Sequence, residues 1–165
     1  MRRTAIPLGS AVALFVFALP APVAAQPDAA QGPAAGAALR AAYLAELADV
    51  QTKIKALAEA IPEDKYAWRP AAGVRSIGEV FGHMAGGNYY LTKVAGVEPP
   101  AGNPDFEKLG KKELLVWLDK SYEHVRASLN AATPEQLEKP IEFFGQKTTV
   151  RGLYLKAYGH LAEHL

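Results

Sequence analysis

The 165-residue chain has no cysteine. That absence removes disulfides, thiolate nucleophiles, cysteine metal sites and a lipid-modified N-terminal cysteine together. Any bound metal must therefore be held by His, Asp or Glu. Charge of one sign is also lacking: 18 basic residues meet 17 acidic ones, for a formal net charge of +1. No field favours nucleic acid or an anionic membrane, and no nucleic-acid partner is expected. The apolar run Ala11 to Leu19 is unbroken but falls well short of the ~20 residues that span a bilayer. There are no internal repeats, and no low-complexity segment after Gly36. With half of its residues apolar, a chain of this length suits one domain with a real core.

The first 25 residues have the layout of a targeting segment. Arg2 and Arg3 supply a basic start, the apolar run follows, and Pro20 to Ala25 closes on small residues, with Val23 and Ala25 placed for cleavage before Gln26. Residues 1–25 are therefore expected to be a signal peptide, which makes the protein periplasmic or secreted and limits its membrane contact to export. The Arg2-Arg3 pair points toward the twin-arginine route, but the residues after it do not complete that motif. Residues 26–36 are Ala, Gly, Pro and Gln without period and are expected to form a flexible lead-in.

From Ala37 to Ile61 the apolar residues Leu39, Tyr43, Leu44, Leu47, Val50, Ile54, Leu57 and Ile61 recur at spacings of three and four, which predicts a helix stopped by Pro62. Pro62 to Arg75 is too rich in breakers for one helix and becomes a long connection. Ser76 and Glu79 form a capping box, so a second helix is expected from Ile77 to about Ala95, with Gly96 as its stop. A third runs from about Lys111 to Asn130 on the stripe Leu114, Leu118, Val125 and Leu129. Thr133-Pro134-Glu135-Gln136 predicts a short helical turn. Ile141 to Thr148 is strand-like, with a Gly145-Gln146 turn, but has no partner run long enough to argue for a sheet. Thr149 caps a last helix from Val150. The fold class is thus all-α, a four-helix bundle, and its two long links allow crossover connections.

Bundles of this kind build metal sites from side chains on facing helices. His160 and His164 are four residues apart, so a helix stacks them on one face with Cβ atoms about 6 Å apart. Such pairs often occur without metal, and a third ligand is needed. His83, among the apolar residues of the second helix, is the available one, although a lone histidine there also suits a core position. His124 falls on the polar side of the third helix and is expected in solvent. Glu163 follows His160 by three residues, which is not the His-Glu-x-x-His arrangement of a zinc protease. Glu79, Asn88 and Glu163 are the polar residues placed to accept from a ligand imidazole. Tyr89, Tyr90, Tyr154 and Tyr158 read as core aromatics with hydroxyls at the edge. Trp68 reads as a packing plug, and Arg75 as a partner for backbone carbonyls.

The run Trp68-Arg69-Pro70 through Arg75-Ser76-Ile77-Gly78-Glu79-Val80-Phe81-Gly82-His83-Met84, with Asn88 and Tyr89 behind it, resembles the first metal-ligand region of the DinB/YfiT-like family of metalloenzymes. Thr149-Val150-Arg151-Gly152 to His160-Leu161-Ala162-Glu163-His164 resembles the second. The resemblance spans residues 37–165 and implies a four-helix bundle that holds a divalent metal ion, zinc or nickel, through His83, His160 and His164. It also implies pairing into a homodimer as an option. The family's last helix continues past the final ligand with a Gly-Gln pair, so the natural chain is expected to extend beyond Leu165. An ion held by three neutral imidazoles can activate a water or a thiol for attack on a small-molecule substrate. The expected activity is that of an exported metal-dependent hydrolase or thiol-transferase-like detoxifying enzyme. The alternative is an exported bundle that binds metal or a small ligand without chemistry.

Overall fold

The structure, a computed structural model, describes residues 33–165; the expected signal peptide and most of the lead-in lie outside the described residues. Helix α1 (Pro33–Ala60) starts one turn before the expected Ala37 and buries Leu47, Val50, Ile54 and Ala58 along one face. Helix α2 (Ile77–Val94) carries Phe81, Met84 and Ala85 into the same core, and α3 (Lys111–Ala131) adds Leu114, Leu118, Val125 and Leu129. A short α4 (Pro134–Glu138) leads through strands β1 (Pro140–Phe143) and β2 (Gln146–Thr149) to α5 (Val150–Ala162), which buries Leu153, Tyr154, Ala157 and Leu161.

Helix α1 packs on α3 and α5, and α2 packs on the same two helices and on the turn 106–108, so α1 faces α2 across the bundle and α3 faces α5. Both the link from α1 to α2 and the one from α3 to α5 therefore cross a diagonal, as their length requires. The neighbours α1 and α3 run antiparallel, because each is capped by the other. The Arg40 guanidinium donates to the carbonyls of Asn130 and Ala132 at the end of α3, at 3.1 and 2.6 Å. The Lys111 ammonium donates to those of Glu59 and Ile61 at the end of α1, at 2.8 and 2.6 Å. Terminal carbonyls have no partner within their own helix and carry partial negative charge, so a cation from the adjacent helix satisfies both needs.

The strand-like stretch does form a sheet, contrary to the sequence reading. Strands β1 and β2 pair antiparallel, with Phe143 opposite Gln146, so the turn is Phe144-Gly145 and not Gly145-Gln146. Both turn residues have positive φ, 48° and 74°, as a two-residue turn between right-twisted strands requires. A lone hairpin is marginal in water. This one is held because Ile141 and Phe143 pack beside Leu91, Leu153 and Ala157, and because Thr149, the last residue of β2, caps α5 by accepting from the Gly152 amide at 3.2 Å.

Two further expectations change. The Trp68 ring is exposed and plugs nothing; the residue's contribution is its backbone, whose carbonyl accepts from the Ile77 amide at 3.0 Å where α2 begins. Among the described residues Arg75 reaches no carbonyl and instead pairs with the carboxylate of Glu107 at 3.1 Å.

Candidate metal centre

His83 is placed by a firmly started helix. The Ser76 hydroxyl accepts from the Glu79 amide at 3.2 Å, the Glu79 carboxylate accepts from the Ser76 amide at 2.7 Å, and Arg69 holds that carboxylate from outside at 2.8 Å. Glu79 is thereby committed to the cap, which together with Arg69 keeps its carboxyl below the usual range. Two turns later His83 faces α5. His160 lies in the last turn of α5, and His164 in the turn just after it, its amide bonded to the Leu161 carbonyl at 3.2 Å.

The three imidazoles meet. His160 Nε2 is 3.0 Å from His83 Nε2 and 3.3 Å from His164 Nε2, and a ligand nitrogen from each ring lies within 4.8 Å of the others. Burial, then the charges of the neighbouring histidines and Arg75, push His160 down to about 4. Burial first and Arg75 second also lower His83 and His164. All three rings are therefore neutral at pH 7 and carry free lone pairs. No proton arrangement lets three converging Nε2 atoms all donate, and a cation among them is the natural acceptor of their lone pairs.

Helix α2 makes room for this convergence at Gly87. A Cβ there would come within 2.9 Å of His160 Cε1, so the ring rests directly against the helix where a side chain would otherwise stand. Glycine inside a helix costs about 1 kcal/mol relative to alanine. Gly87→Ala should accordingly leave thermal stability unchanged or raised, because only a side-chain ring has to move, while metal affinity falls about tenfold or more as that ring leaves its place. Melting curves of the metal-free protein and a competition titration with a chromophoric chelator check both halves. Unchanged affinity would remove the role given to Gly87.

A cavity of about 400 Å³ opens beside His83, between the Gly82, Gly86 and Gly87 face of α2 and the segment 104–107. A second cavity, of about 320 Å³, lies between α1 and α3. Among its lining groups Lys55 pairs with Asp119 at 2.6 Å and Arg126 donates to Gln51 at 2.8 Å, and none of the histidines lines it.

The residues expected to support the ligands do not do so. Asn88 is fully buried on a different side of α2 and donates to Ser121 at 3.0 Å; Glu79 serves the cap; Glu163 is exposed and acts on His164 only through its charge. His160 Nδ1 is buried without a hydrogen-bond partner among the described residues. His124 is not in solvent: its ring lies partly buried 5.2 Å from that of Tyr89, and burial lowers its pKa. Tyr89 and Tyr154 are core residues as expected, but their hydroxyls are buried and not at the edge, that of Tyr154 against the Ser128 hydroxyl, whereas Tyr90 is half exposed at the edge of the cavity.

The sequence profile of the DinB superfamily matches residues 46–165, which include all three histidines. The chain belongs to the DinB superfamily. Among solved structures, a DinB-like protein of Bacillus subtilis, YjoA, superposes with a TM-score of 0.58 at 27% identity, covering 74% of this chain and 82% of that one. No curated protein matches the chain. In this DinB domain, sequence reasoning located the three histidines but missed Gly87 and Gly82. The available signal was the Gly82, Gly86 and Gly87 set inside a helix, since glycines in such a place usually mark close approach of another group.

Proposed function

We propose that this DinB-family protein binds one divalent ion, zinc or nickel, through His83, His160 and His164, and acts outside the cytoplasm as a metal-dependent hydrolase on a small-molecule substrate. The observation that carries the reading is the convergence of three neutral imidazole nitrogens on one point. The donor set fits the ion: nitrogen ligands suit zinc and nickel, and oxygen-preferring cations would draw on carboxylates, which the cluster lacks. When bound, such an ion keeps its full positive charge and acidifies a water in its open position.

The chain's own residues supply the rest. The low pKa values of the imidazoles keep protons from competing for the ligand positions near neutral pH. Gly87 fixes the His160 ring, and the cavity beside His83 gives a substrate room to approach. The cluster among the described residues holds three donors and no fourth, which favours catalysis over storage or a purely structural role, where protein ligands close the site. The export component rests on the signal-peptide pattern of residues 1–25.

Metal analysis of the purified chain tests the proposal. After titration with zinc or nickel and dialysis, about one ion per chain should remain on wild type, and little on the His83→Ala, His164→Ala double variant, which leaves His160 alone. Equal trace metal on both would end the metalloprotein reading.

A further inference from the structure

The cavity beside His83 has an unusual floor. His83, Gly86, Gly87 and Tyr90 line it from α2 at spacings of three and four, so they share one face of the helix over about 10 Å of its length. Between the histidine and the tyrosine that face carries only hydrogen. The Phe106 ring borders it on one side, 3.3 Å from where a Gly86 Cβ would stand, and the His160 ring borders it at Gly87. The result is a trough that runs along α2 from His83 to Tyr90, with the His160 ring at its side.

Beyond Tyr90 the trough meets the hairpin. The Tyr90 ring lies 6.3 Å from each of the rings of Phe143 and Phe144, and those two are 4.4 Å apart, which makes a three-ring ledge. Tyr90 is 50% exposed and Phe144 80% exposed, so the ledge presents aromatic surface to solvent, and Tyr90 is the member of it that lines the cavity. Phe144 also occupies the left-handed region, at φ 48°. A bulky side chain there is strained, and Asn, Asp or Gly would form the same turn more easily. Neither burial nor turn chemistry accounts for a phenylalanine at this position.

We propose that the metal site takes substrates with a flat aromatic group, which lies along the glycine floor of α2 from the histidines and ends against Tyr90, Phe143 and Phe144. This inference rests on the metal-binding reading above and adds the substrate class. The continuity of the trough from His83 to Tyr90 selects this occupant: one molecule can reach the histidines and the ledge together. Aromatic rings stack at centroid distances of 4.5–7 Å and prefer offset or edge contacts, which the three differently tilted rings provide.

Hydroxamates of increasing size are suitable probes, because the hydroxamate group chelates zinc while the remainder reports on the trough. Calorimetric titration of the zinc-loaded chain should show 4-phenylbenzohydroxamate binding more tightly than acetohydroxamate. In Phe144→Gly and Tyr90→Ala the aromatic probe should weaken about tenfold, while acetohydroxamate binds as it does to wild type. Phe144→Gly relieves the left-handed strain, so its melting temperature should hold or rise while aromatic binding falls, a pair of signs that a merely structural role does not produce. Equal aromatic affinity in wild type and both variants would overturn the ledge and leave the metal site standing. Failure of every hydroxamate to bind, with zinc not retained, would remove the metal reading and the ledge with it. A wild-type dimer that Phe144→Gly turns into a monomer would assign the ledge to a second copy of the chain and overturn the proposal as well.

Discussion

His160→Ala should strip the protein of metal while leaving it folded. His160 is the middle one of the three histidines, with its Nε2 next to those of both His83 and His164. Removing it leaves two donors on separate elements, the rings of His83 and His164 5.3 Å apart, one ligand short of a three-histidine site. Loss of a group that merely orients a ligand costs about 10–100-fold in affinity, so loss of the central ligand should cost more than about a hundredfold. The fold does not depend on this side chain, since the core of α5 is Leu153, Tyr154, Ala157 and Leu161. The same variant has a second expected effect, in the metal-free state. An unfolded imidazole titrates near 6.5, whereas folded His160 titrates at about 4. Between those values the unfolded chain takes up a proton that the folded chain refuses. Acid therefore favours unfolding, with stability intact above about 6.5 and lost progressively as the pH falls toward 4. His160→Ala lacks this contribution, so its urea midpoint should fall less over that interval than that of wild type. His83 and His164 act in the same direction and keep part of the effect in place. A steeper acid loss in the variant than in wild type would contradict the assignment.

What could be read from the sequence was whatever a single periodic stripe or a single cap decides. Ser76 and Glu79 form their reciprocal cap in space as the four-residue pattern requires, and the three-and-four spacing of Leu47, Val50 and Ile54 marks the buried face of α1. The hairpin was not legible, because its stability comes from the seat that Leu91 and Leu153 provide for Ile141 and Phe143, and Leu91 lies about fifty positions away on another helix. Trp68 failed for a related reason: size and hydrophobicity suggest burial, but a ring on a turn-rich link is buried only if some helix comes to cover it, and none does.

The centre divides along the same line. His160 and His164 announce themselves by spacing on one element, whereas His83 was the available third histidine, and the resemblance of its surroundings to a family strengthened that choice. What holds the rings together is a matter of backbone approach. Gly87 accommodates the His160 ring, and Gly82 accommodates a main-chain carbonyl, contacts that no periodicity encodes because the partner lies on another element. His124 shows the opposite error. Its neighbours along α3 are polar, yet Tyr89 of α2 covers its ring.

Gly82→Ala should be the most destabilising single-methyl change in the neighbourhood of the site. A Cβ at Gly82 would stand 2.4 Å from the Phe106 carbonyl oxygen, 2.7 Å from its carbon and 3.0 Å from the Cα of Glu107. All three are backbone atoms, so no rotamer change relieves the contact. Either α2 or the turn Phe106–Lys108 has to move, and that turn is tied down: the Phe106 ring stacks on Tyr89 at 5.6 Å and meets Trp117 at 5.7 Å, while Glu107 is held by Arg75. Overpacking of this kind costs about 1–3 kcal/mol and occasionally more. Alanine in place of a helical glycine returns up to about 1 kcal/mol. With a hard backbone clash at the upper end of the first range, the net loss should be about 2 kcal/mol. Gly159→Ala isolates the second term, because nothing lies within 4 Å of a Cβ at that helical position, and it should stabilise the chain by up to about 1 kcal/mol. Urea denaturation of the two metal-free variants beside wild type should therefore move the midpoint in opposite directions. If Gly82→Ala instead follows Gly159→Ala upward, the segment 104–107 does not rest on α2, and the outer wall of the cavity beside His83 is not where the structure places it.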